Sequence, residues 1–279
     1  MLPRSPQHLD RRLDAAAARF DEHAFVHGVT RDGLFARLEP MTIRARHVLD
    51  LGSATGASVE ALRKRFPKAR VHALDRSRRM LERQRGGWLR KPSRIQADAR
   101  QLPFADNSID VVFANLLLPF IDGIDQVFGE VSRVLADGGL FAFSSLGPDS
   151  FAELRRAWAA VDSAEHVARF NDMHDIGDLL VRAGLRDPVL DVDWLKVSYR
   201  KADTLFADLA ATGARNTLKN RPNGLMGRRR FEAFVGNLFP DERPLELELE
   251  LVYGHAFGGA PMQARGPIAI DPASIGRRR

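Results

Sequence analysis

The sequence lacks cysteine altogether over its 279 residues. Disulfide bonds and thiolate metal sites are therefore excluded, and the composition is compatible with a reducing cytosol. Two histidines, His23 and His27, stand four residues apart, but no matching acid completes a metal-ligand motif. We expect no metal site and interpret both histidines as ordinary polar or pocket-lining residues.

Long apolar runs are also missing, and none approaches the length that spans a membrane. The first ten residues lack the apolar core of a signal peptide. We therefore expect a soluble, cytoplasmic protein that makes no membrane contact.

Acidic residues are outnumbered by basic ones, giving a formal net charge of +6 and a sequence pI near 10.1. This excess favours an acidic partner. Charged residues make up 28% and hydrophobic residues 44% of the chain, as in ordinary globular proteins. The length suffices for one large α/β domain or two small ones.

The most informative stretch is His47 to Gly56, which reads H-V-L-D-L-G-S-A-T-G and precedes an amphipathic run, Ala57 to Phe66. The pattern predicts a strand, a glycine turn and a helix, and in open α/β sheets such a turn binds nucleotide-like ligands. A phosphate-binding loop would need Lys and then Ser or Thr after its second glycine, and a dinucleotide fingerprint would need a glycine at Ala54. Asp50, beside the turn, favours instead a ligand with an ammonium or sulfonium group.

Three further strand ends carry polar residues. Arg70 to Leu74 predicts a second strand that ends at Asp75, where an acid can accept both hydrogen bonds of a ribose diol or cap the helix predicted for Ser77 to Arg85. Asp98 ends a third strand and can accept the amine of adenine, while the Ala99 backbone N–H can donate to the ring. A fourth strand, Ile109 to Ala114, places Asn115 at the same crevice.

Together these residues resemble motifs I to III of the class I S-adenosylmethionine-dependent methyltransferases, from Ala45 to Ser145. Motif I usually reads D-L-G-x-G-x-G, and this chain departs from it at Ala54, which predicts a slightly wider turn. The resemblance implies an α/β fold with a Rossmann-like seven-stranded sheet, and S-adenosylmethionine as cofactor. The implied cofactor-binding residues are Asp50, Gly52, Ser53, Gly56, Asp75, Arg76, Asp98, Ala99 and Asn115.

The remaining pattern predicts a helical cap, a lid and a tail. Residues 9 to 38 suggest two helices with a break at Gly28, within a cap of residues 1–40. The methyltransferase domain would span residues 41–257, with a helical lid insertion at about 148–240 and a flexible basic tail at 258–279.

Within the domain, helices are predicted for the ranges 120–135, 148–161, 166–184, 201–211 and 228–239. A fifth strand follows the turn at Asp137, Pro188 to Tyr199 forms a further strand, and Leu245 to His255 alternates as a half-exposed one.

Several segments of the second half look like those of the BioC family. They are R-F-N-D-M-H-D-I-G-D-L-L-V-R-A-G-L at 169–185, A-T-G-A-R-N at 211–216, G-L-M-G-R-R-R at 224–230 and V-Y-G-H-A-F at 252–257. That family methylates the free carboxylate of malonyl-acyl carrier protein at the start of biotin synthesis. The resemblance implies an acidic acyl carrier protein as partner, although malonyl-coenzyme A stays open as the alternative substrate.

One departure concerns Phe20, in A-A-A-R-F-D, where the family commonly has a tyrosine. If that hydroxyl orients the substrate carboxylate, its loss leaves the acid substrate open. We therefore keep two alternatives: a methyltransferase for another small carboxylic acid, and a non-methylating assembly or hydroxylase protein on the same scaffold.

The implied chemistry needs alignment rather than acid–base catalysis, because a carboxylate is ionised at neutral pH and attacks without a base. We therefore predict no catalytic side chain. The candidates for holding the substrate carboxylate are Phe20, His23, Arg169, His174 and Arg215. Arg228, Arg229 and Arg230, in the densest basic cluster outside the tail, are predicted to dock the carrier protein.

A nucleic-acid partner is not expected despite the high pI. Enzymes that extract a base from the duplex carry an N-P-P-Y-type tetrad, whereas Asn115 is followed here by three leucines.

Overall fold

A seven-stranded sheet forms the centre of the protein in a computed structural model, which describes residues 6–84, 92–218, 224 and 226–259. Its strands are β1 His47–Leu51, β2 Arg70–Asp75, β3 Ser93–Gln96, β4 Ile109–Ala114, β5 Leu135–Leu146, β6 Arg186–Tyr199 and β7 Leu245–Phe257. The strand order is β3-β2-β1-β4-β5-β7-β6. The predicted seven-stranded α/β sheet is confirmed.

Strands β1 to β5 run parallel, whereas β7 is antiparallel to both β5 and β6. The chain leaves β1 toward β2 and β3 on one side and returns to β4 on the other. This reversal opens a crevice at the carboxyl ends of β1 and β4, which is where ligands bind in open α/β sheets.

Helices cover both faces of the sheet. Among the described residues they are α1 Pro6–Ala16, α2 Phe20–His23, α3 Phe25–Leu38, α4 Ala57–Arg65, α5 Arg78–Arg83, α6 Ile124–Val134, α7 Ala152–Ala159, α8 Met173–Arg182, α9 Ala202–Ala211 and α10 Arg228–Leu238. Short 3-10 helices occupy Leu118–Phe120 and Pro240–Glu242. No helix in the described ranges is long and apolar enough to cross a membrane.

Two large apolar clusters sit on the two faces. One packs α3, α4, α7, α9 and α10 against the sheet, and the other packs α6 and α8. Helix α6 shows why helices pack in this way, because its apolar residues recur at helical spacing and form one buried face. These residues are Ile124, Val127, Phe128, Val131 and Val134.

The predicted helix break at Gly28 is wrong. Helix α3 runs through Gly28, whose N–H donates to the carbonyl of Ala24 at 3.0 Å. The chain breaks at Ala24 instead, between α2 and α3. A glycine inside a helix costs only about 1 kcal/mol, which packing of the apolar face outweighs.

Three helices begin later than the sequence pattern predicted. Helix α6 starts after Gly123, which has a φ of +73°, and α7 starts after Phe151, with a φ of +63°. Helix α8 starts at Met173, because the Asp172 side chain accepts a hydrogen bond from the N–H of His174 and caps the helix. In each case a local backbone feature, rather than apolar periodicity, sets the first residue.

Strand β7 is half-exposed only near its start. It alternates from Leu245 to Glu248 but is mostly buried from Leu249 onward, since β5 and β6 flank it and helices cover it. Within the range predicted as a lid, β6 belongs to the sheet and α8 packs against it. The predicted tail from residue 258 lies outside the described residues except for Gly258 and Gly259.

Candidate functional site

The glycine turn after β1 is held against the end of β2. The N–H groups of Gly52 and Ser53 both donate to the carbonyl of Leu74, at 2.8 and 3.0 Å. Gly52 has a φ of +78°, and a Cβ there would lie 2.8 Å from the Leu117 Cδ1 atom. The turn therefore needs glycine at this position both for its conformation and for space.

Ala54 takes the place of the usual third-position glycine and has a φ of +43°. Its N–H donates to Asp75 Oδ2 at 2.9 Å, and its carbonyl accepts from Gln84 Nε2 at 2.9 Å. Gln84 Nε2 also donates to the Ser53 hydroxyl at 2.9 Å. Hydrogen bonds on both sides of Ala54 thus keep a left-handed residue in place.

Two buried acids lie beside the turn. Asp50 is 1% exposed, and its Oδ2 atom has no hydrogen-bond partner among the described residues. Burial and the nearby charge of Asp75 raise the pKa of Asp50 well above its usual value. Burial also raises the pKa of Asp75, although hydrogen bonds from the N–H groups of Ser77 and Ala54 oppose the shift. A cationic ligand group near this pair would stabilise the charged carboxylates.

Asp98 lies two residues beyond β3 and is held by arginine. Arg100 donates to both of its carboxylate oxygens, at 3.0 and 2.7 Å, and this hydrogen bonding lowers the pKa of Asp98. Arg76 is 3.8 Å from Asp98 and forms a 2.6 Å ion pair with Asp10 of α1. Arg76 therefore links α1 to the ends of β2 and β3.

Asn115 lies at the end of β4 and connects it to α3. Its Nδ2 donates to the carbonyl of His27 at 2.9 Å, and its Oδ1 accepts from the Ser144 hydroxyl at 2.8 Å. The same hydroxyl accepts from the N–H of Leu116 at 2.9 Å. The side chain of Asn115 is thus fixed before any ligand binds.

A cleft opens among these strand ends. Of the predicted cofactor-binding residues, Gly52, Asp75, Arg76, Asp98, Ala99 and Asn115 line it. Asp50, Ser53 and Gly56 lie in the strand and turn but outside the cleft lining. Leu9 and Leu13 of α1 and Phe20 of α2 also line this cleft. No sequence motif indicated that Leu9 and Leu13 line this cleft, although the apolar spacing of α1 indicated a buried face.

A larger cavity of about 850 Å³ lies between the sheet and the helices α7, α9 and α10. Its lining is mainly apolar and includes Phe25, Phe151, Trp158, Phe170, Phe206 and Phe234. It shares four residues with the cleft, namely His27, Leu116, Phe120 and Thr212. The two spaces therefore adjoin at this junction.

A polar network lines one side of the large cavity. His23 Nδ1 is 2.6 Å from Asp208 Oδ1, and the Tyr199 hydroxyl donates to Asp208 Oδ2 at 2.9 Å. Arg19 donates to His23 Nε2 at 2.8 Å, so His23 is held from both sides. Burial is the main reason why the pKa of Tyr199 lies well above its usual value, and the hydrogen bond to Asp208 raises this pKa further. His23 is the one member of this network that was a candidate from the sequence, because its partners are distant along the chain.

The predicted substrate residues occupy different places. Phe20 lines the cleft, and His23 and Arg215 line the large cavity. Arg169 and His174 are exposed and line neither space. Arg12 of α1 also lines the large cavity, and no motif of the sequence indicated it.

The arginines at the start of α10 make different contacts. Arg228 forms a 2.7 Å ion pair with Glu232 on the solvent side, whereas Arg230 pairs with Asp162 and lines the large cavity. Asp162 also contacts His166 at 2.9 Å. Burial alone would raise the pKa of Asp162, but hydrogen bonds from Arg230 and His166 lower it to about 2.

Comparison with known proteins agrees with this geometry. A family model described as a methyltransferase domain matches residues 49–143. The chain is similar to a SAM-dependent methyltransferase of Thermotoga maritima, with a TM-score of 0.54, 17% identity and coverage of 89% of this chain and 99% of that one. It is also similar to the YcgJ protein of Bacillus subtilis, with a TM-score of 0.55, 15% identity and coverage of 81% and 97%. These likenesses concern the fold.

Two curated relatives are more similar in sequence. A malonyl-[acyl-carrier protein] O-methyltransferase of Halorhodospira halophila is 40% identical over 295 residues, covering 100% of both chains. One of Laribacter hongkongensis is 40% identical over 266 residues, covering 91% of this chain and 89% of its own.

The sheet, the glycine turn and the methyltransferase domain define the class: the protein is an S-adenosylmethionine-dependent methyltransferase. Within that class, the chain belongs to the family of the malonyl-[acyl-carrier protein] O-methyltransferases. The sequence-based expectations of the class, the cofactor and the family are confirmed.

Proposed function

We propose that this protein transfers the methyl group of S-adenosylmethionine to the free carboxylate of a malonyl group carried by an acyl carrier protein, at the start of biotin synthesis. The observation that carries the proposal is the junction of the cofactor cleft with a large, mainly apolar cavity. The names of the curated relatives support the malonyl substrate.

The cleft residues fit the cofactor. A Cβ at Gly52 would collide with Leu117, so glycine keeps the turn open to close approach, and the unpartnered Oδ2 atom of Asp50 offers a buried negative charge nearby. Asp75 would hold the ribose. Asp98 and the N–H of Ala99 would hold the adenine, while Gly52 and Asn115 would contact the rest of the cofactor. Ser53, Gly56 and Arg76 would shape and support the turn and the cleft. When bound, the cofactor supplies an electrophilic methyl group on a sulfonium.

The side chains around the junction provide alignment and exclude water. The substrate carboxylate is already ionised, so no protein base has to remove a proton. Leu116 and Phe120 are apolar groups at the junction, and they limit the water that would compete for the same space. Orientation of the two reactants is worth up to about 7–11 kcal/mol in favourable systems.

Arg215 is our candidate for the long-range attraction of the malonyl carboxylate into the large cavity. It is exposed at the cavity lining, and no ion pair joins it to another described residue. His23 is less suited to bind an anion, because the carboxylate of Asp208 lies 2.6 Å from it. Arg169 and His174, which lie outside both spaces, have no part in this proposal.

The carrier protein would dock beside the same cavity. Arg228 and Arg229 are exposed at the start of α10, and Met226 and Phe231 next to them are 41% and 40% exposed. Arginine with exposed apolar side chains is the combination that recognises an acidic helix. Arg230 contributes less to docking, since it already pairs with Asp162.

The test is mass spectrometry of malonyl-acyl carrier protein incubated with this protein and S-adenosylmethionine, beside malonyl-coenzyme A in a parallel reaction. We expect the mass of one methyl group to be added to the carrier-bound malonyl group, and faster than to the coenzyme A ester. Methylation of neither ester, with the cofactor still bound, would contradict the proposal. The acid substrate would then be another one, or the protein would have a non-methylating role.

A further inference from the structure

His27 is the polar ring at the junction of the two cavities. Of the four shared residues, Leu116 and Phe120 are apolar, and the hydroxyl of Thr212 already donates to the carbonyl of Asp208 at 2.8 Å. The junction is where a substrate group must meet the methyl donor. His27 is therefore the side chain best placed to offer a hydrogen bond to the reacting group.

The position of His27 is fixed by its surroundings. Its carbonyl accepts from Asn115 Nδ2 at 2.9 Å, which ties this turn of α3 to the end of β4. Its ring packs edge-on against Phe20, with 4.9 Å between ring centroids. A donor held in this way loses little freedom when a ligand binds.

The two ring nitrogens of His27 differ in their access to the cavities. Nδ1 is enclosed and has no hydrogen-bond partner among the described residues. A ligand in the cavities could therefore reach the ring only through Nε2. A buried N–H without a partner is costly and rarer than an unpaired acceptor, so the geometry favours the tautomer with its proton on Nε2.

The ring is also neutral at physiological pH, because burial lowers the pKa of His27 to about 4. A neutral donor orients a carboxylate and leaves more negative charge on its oxygens than a cation at the same place would. The charge matters because the carboxylate oxygen is the nucleophile of the proposed reaction.

We propose that His27 binds the substrate, with its Nε2–H donating a hydrogen bond to the carboxylate that becomes methylated. This inference rests on the proposed function. As the new C–O bond forms, the C–S bond breaks and its electron pair remains on sulfur, so the ester and a neutral thioether result. No proton is transferred, and His27 keeps its N–H throughout.

The test compares His27→Leu, which removes the donor, with His27→Gln, which retains an N–H donor. We expect kcat/KM for malonyl-acyl carrier protein to fall by about 10- to 100-fold in His27→Leu and by clearly less in His27→Gln, as for loss of a hydrogen bond to a charged group. Binding of S-adenosylmethionine, measured by calorimetry, should stay within a few-fold of the wild-type protein in both variants. His27→Gln should also keep the flat profile of kcat/KM between pH 6 and 9 that we expect of the wild type.

His47→Gln is the matched control, since His47 is at the opposite end of β1, outside both cavities. An unchanged kcat/KM in His27→Leu, or equal losses in the two His27 variants, would overturn the proposal. So would a fall in cofactor affinity as large as the fall in rate, because it would indicate a packing role. A wild-type protein that methylates no malonyl ester would instead refute the proposed function, and this inference with it.

Discussion

Ala54 occupies a backbone conformation that glycine adopts more readily. Its φ of +43° falls in the left-handed region, which costs a residue with a Cβ about 1–2 kcal/mol. The hydrogen bonds to Asp75 and from Gln84 hold it there. The left-handed conformation of Ala54 is therefore kept at some cost in stability.

Replacing Ala54 with glycine should leave the free energy of unfolding unchanged or raise it by up to about 1 kcal/mol. Relief of the strained φ outweighs or balances the greater entropy of glycine in the unfolded chain. Urea denaturation followed by circular dichroism measures the change. The control is Ala207→Gly, inside α9, which should cost about 0.5–1 kcal/mol. A loss of comparable size at Ala54 would show that the left-handed conformation is not strained.

His27 should also make stability depend on pH. Its pKa is about 4 in the folded protein, against an ordinary value of 6.5, so the unfolded chain binds the proton more tightly. The stabilisation is complete above pH 6.5 and is lost as the pH falls toward 4.

We expect the His27→Leu variant to lose less stability than the wild type between pH 7 and pH 5, by up to about 2 kcal/mol. Urea denaturation at pH 7, 6 and 5 provides the comparison. Parallel losses in the two proteins would mean that His27 is protonated as easily in the folded state as in the unfolded chain.

At the scale of elements, α7 and α10 are joined by an aromatic stack and an ion pair. Trp158 stacks between His166 and Phe234, with ring centroids 3.8 and 3.9 Å away, and Arg230 pairs with Asp162, which lies just beyond the end of α7. Trp158, His166, Phe234 and Arg230 all line the large cavity. Their local stability should therefore govern how easily the cavity opens.

Arg230→Met should speed hydrogen exchange in α7 and α10 while changing the global free energy of unfolding by less than about 1 kcal/mol, because the arginine is half-exposed. The same effect should appear in the wild type as the pH falls from about 4 toward 2, where Asp162 becomes protonated and the pair is lost. Arg228→Met, which removes a solvent-exposed pair on α10, is the control. Equal exchange in both variants would show that the Asp162 pair does not stabilise the contact between α7 and α10.

At the scale of the whole molecule, helices α1 and α2 and the strand ends of the sheet all line the cleft proposed for the cofactor, so binding should stabilise the entire fold. Saturation at about 100 times the dissociation constant adds about 2.7 kcal/mol. For a chain of this size, we expect S-adenosylmethionine to raise the wild-type Tm by about 5–10 °C.

Asp75→Asn should show a much smaller rise in Tm on cofactor addition, because the variant loses the carboxylate that we propose as the acceptor for the ribose. Asp32→Asn, in the exposed part of α3, should keep the wild-type rise. Differential scanning fluorimetry with and without the cofactor tests both. A full rise in Asp75→Asn would remove Asp75 from the proposed cofactor site.

The net charge of +6 should act over the whole surface on an acidic carrier protein. We expect the affinity for malonyl-acyl carrier protein to fall as salt rises from 50 to 500 mM, and less steeply in Arg228→Gln/Arg229→Gln, because long-range attraction is screened. The control is Arg46→Gln, which lowers the net charge at the amino end of the sheet, away from the cavity. An affinity independent of salt, or an equal effect of Arg46→Gln, would contradict docking at α10.

Much of the fold could be predicted because its signals are local. Strand β4 lies at its predicted bounds, β2 begins at Arg70 and ends at Asp75 as predicted, and the glycine turn precedes α4 as expected. Apolar runs and glycines mark such elements directly. Helix starts were less predictable, since Gly123 and Phe151 adopt left-handed conformations that periodicity does not reveal.

The sequence by itself determined the fold class, the cofactor and the family, because the motifs that carry them are short and their order along the chain matches the order of the strands. Only the tertiary structure decided which polar side chains share a cavity. Arg12, His27, Tyr199 and Asp208 come from separate elements and meet through packing, whereas Arg169 and His174 lie outside. Contacts between distant residues depend on how helices cross the sheet, which no local pattern specifies.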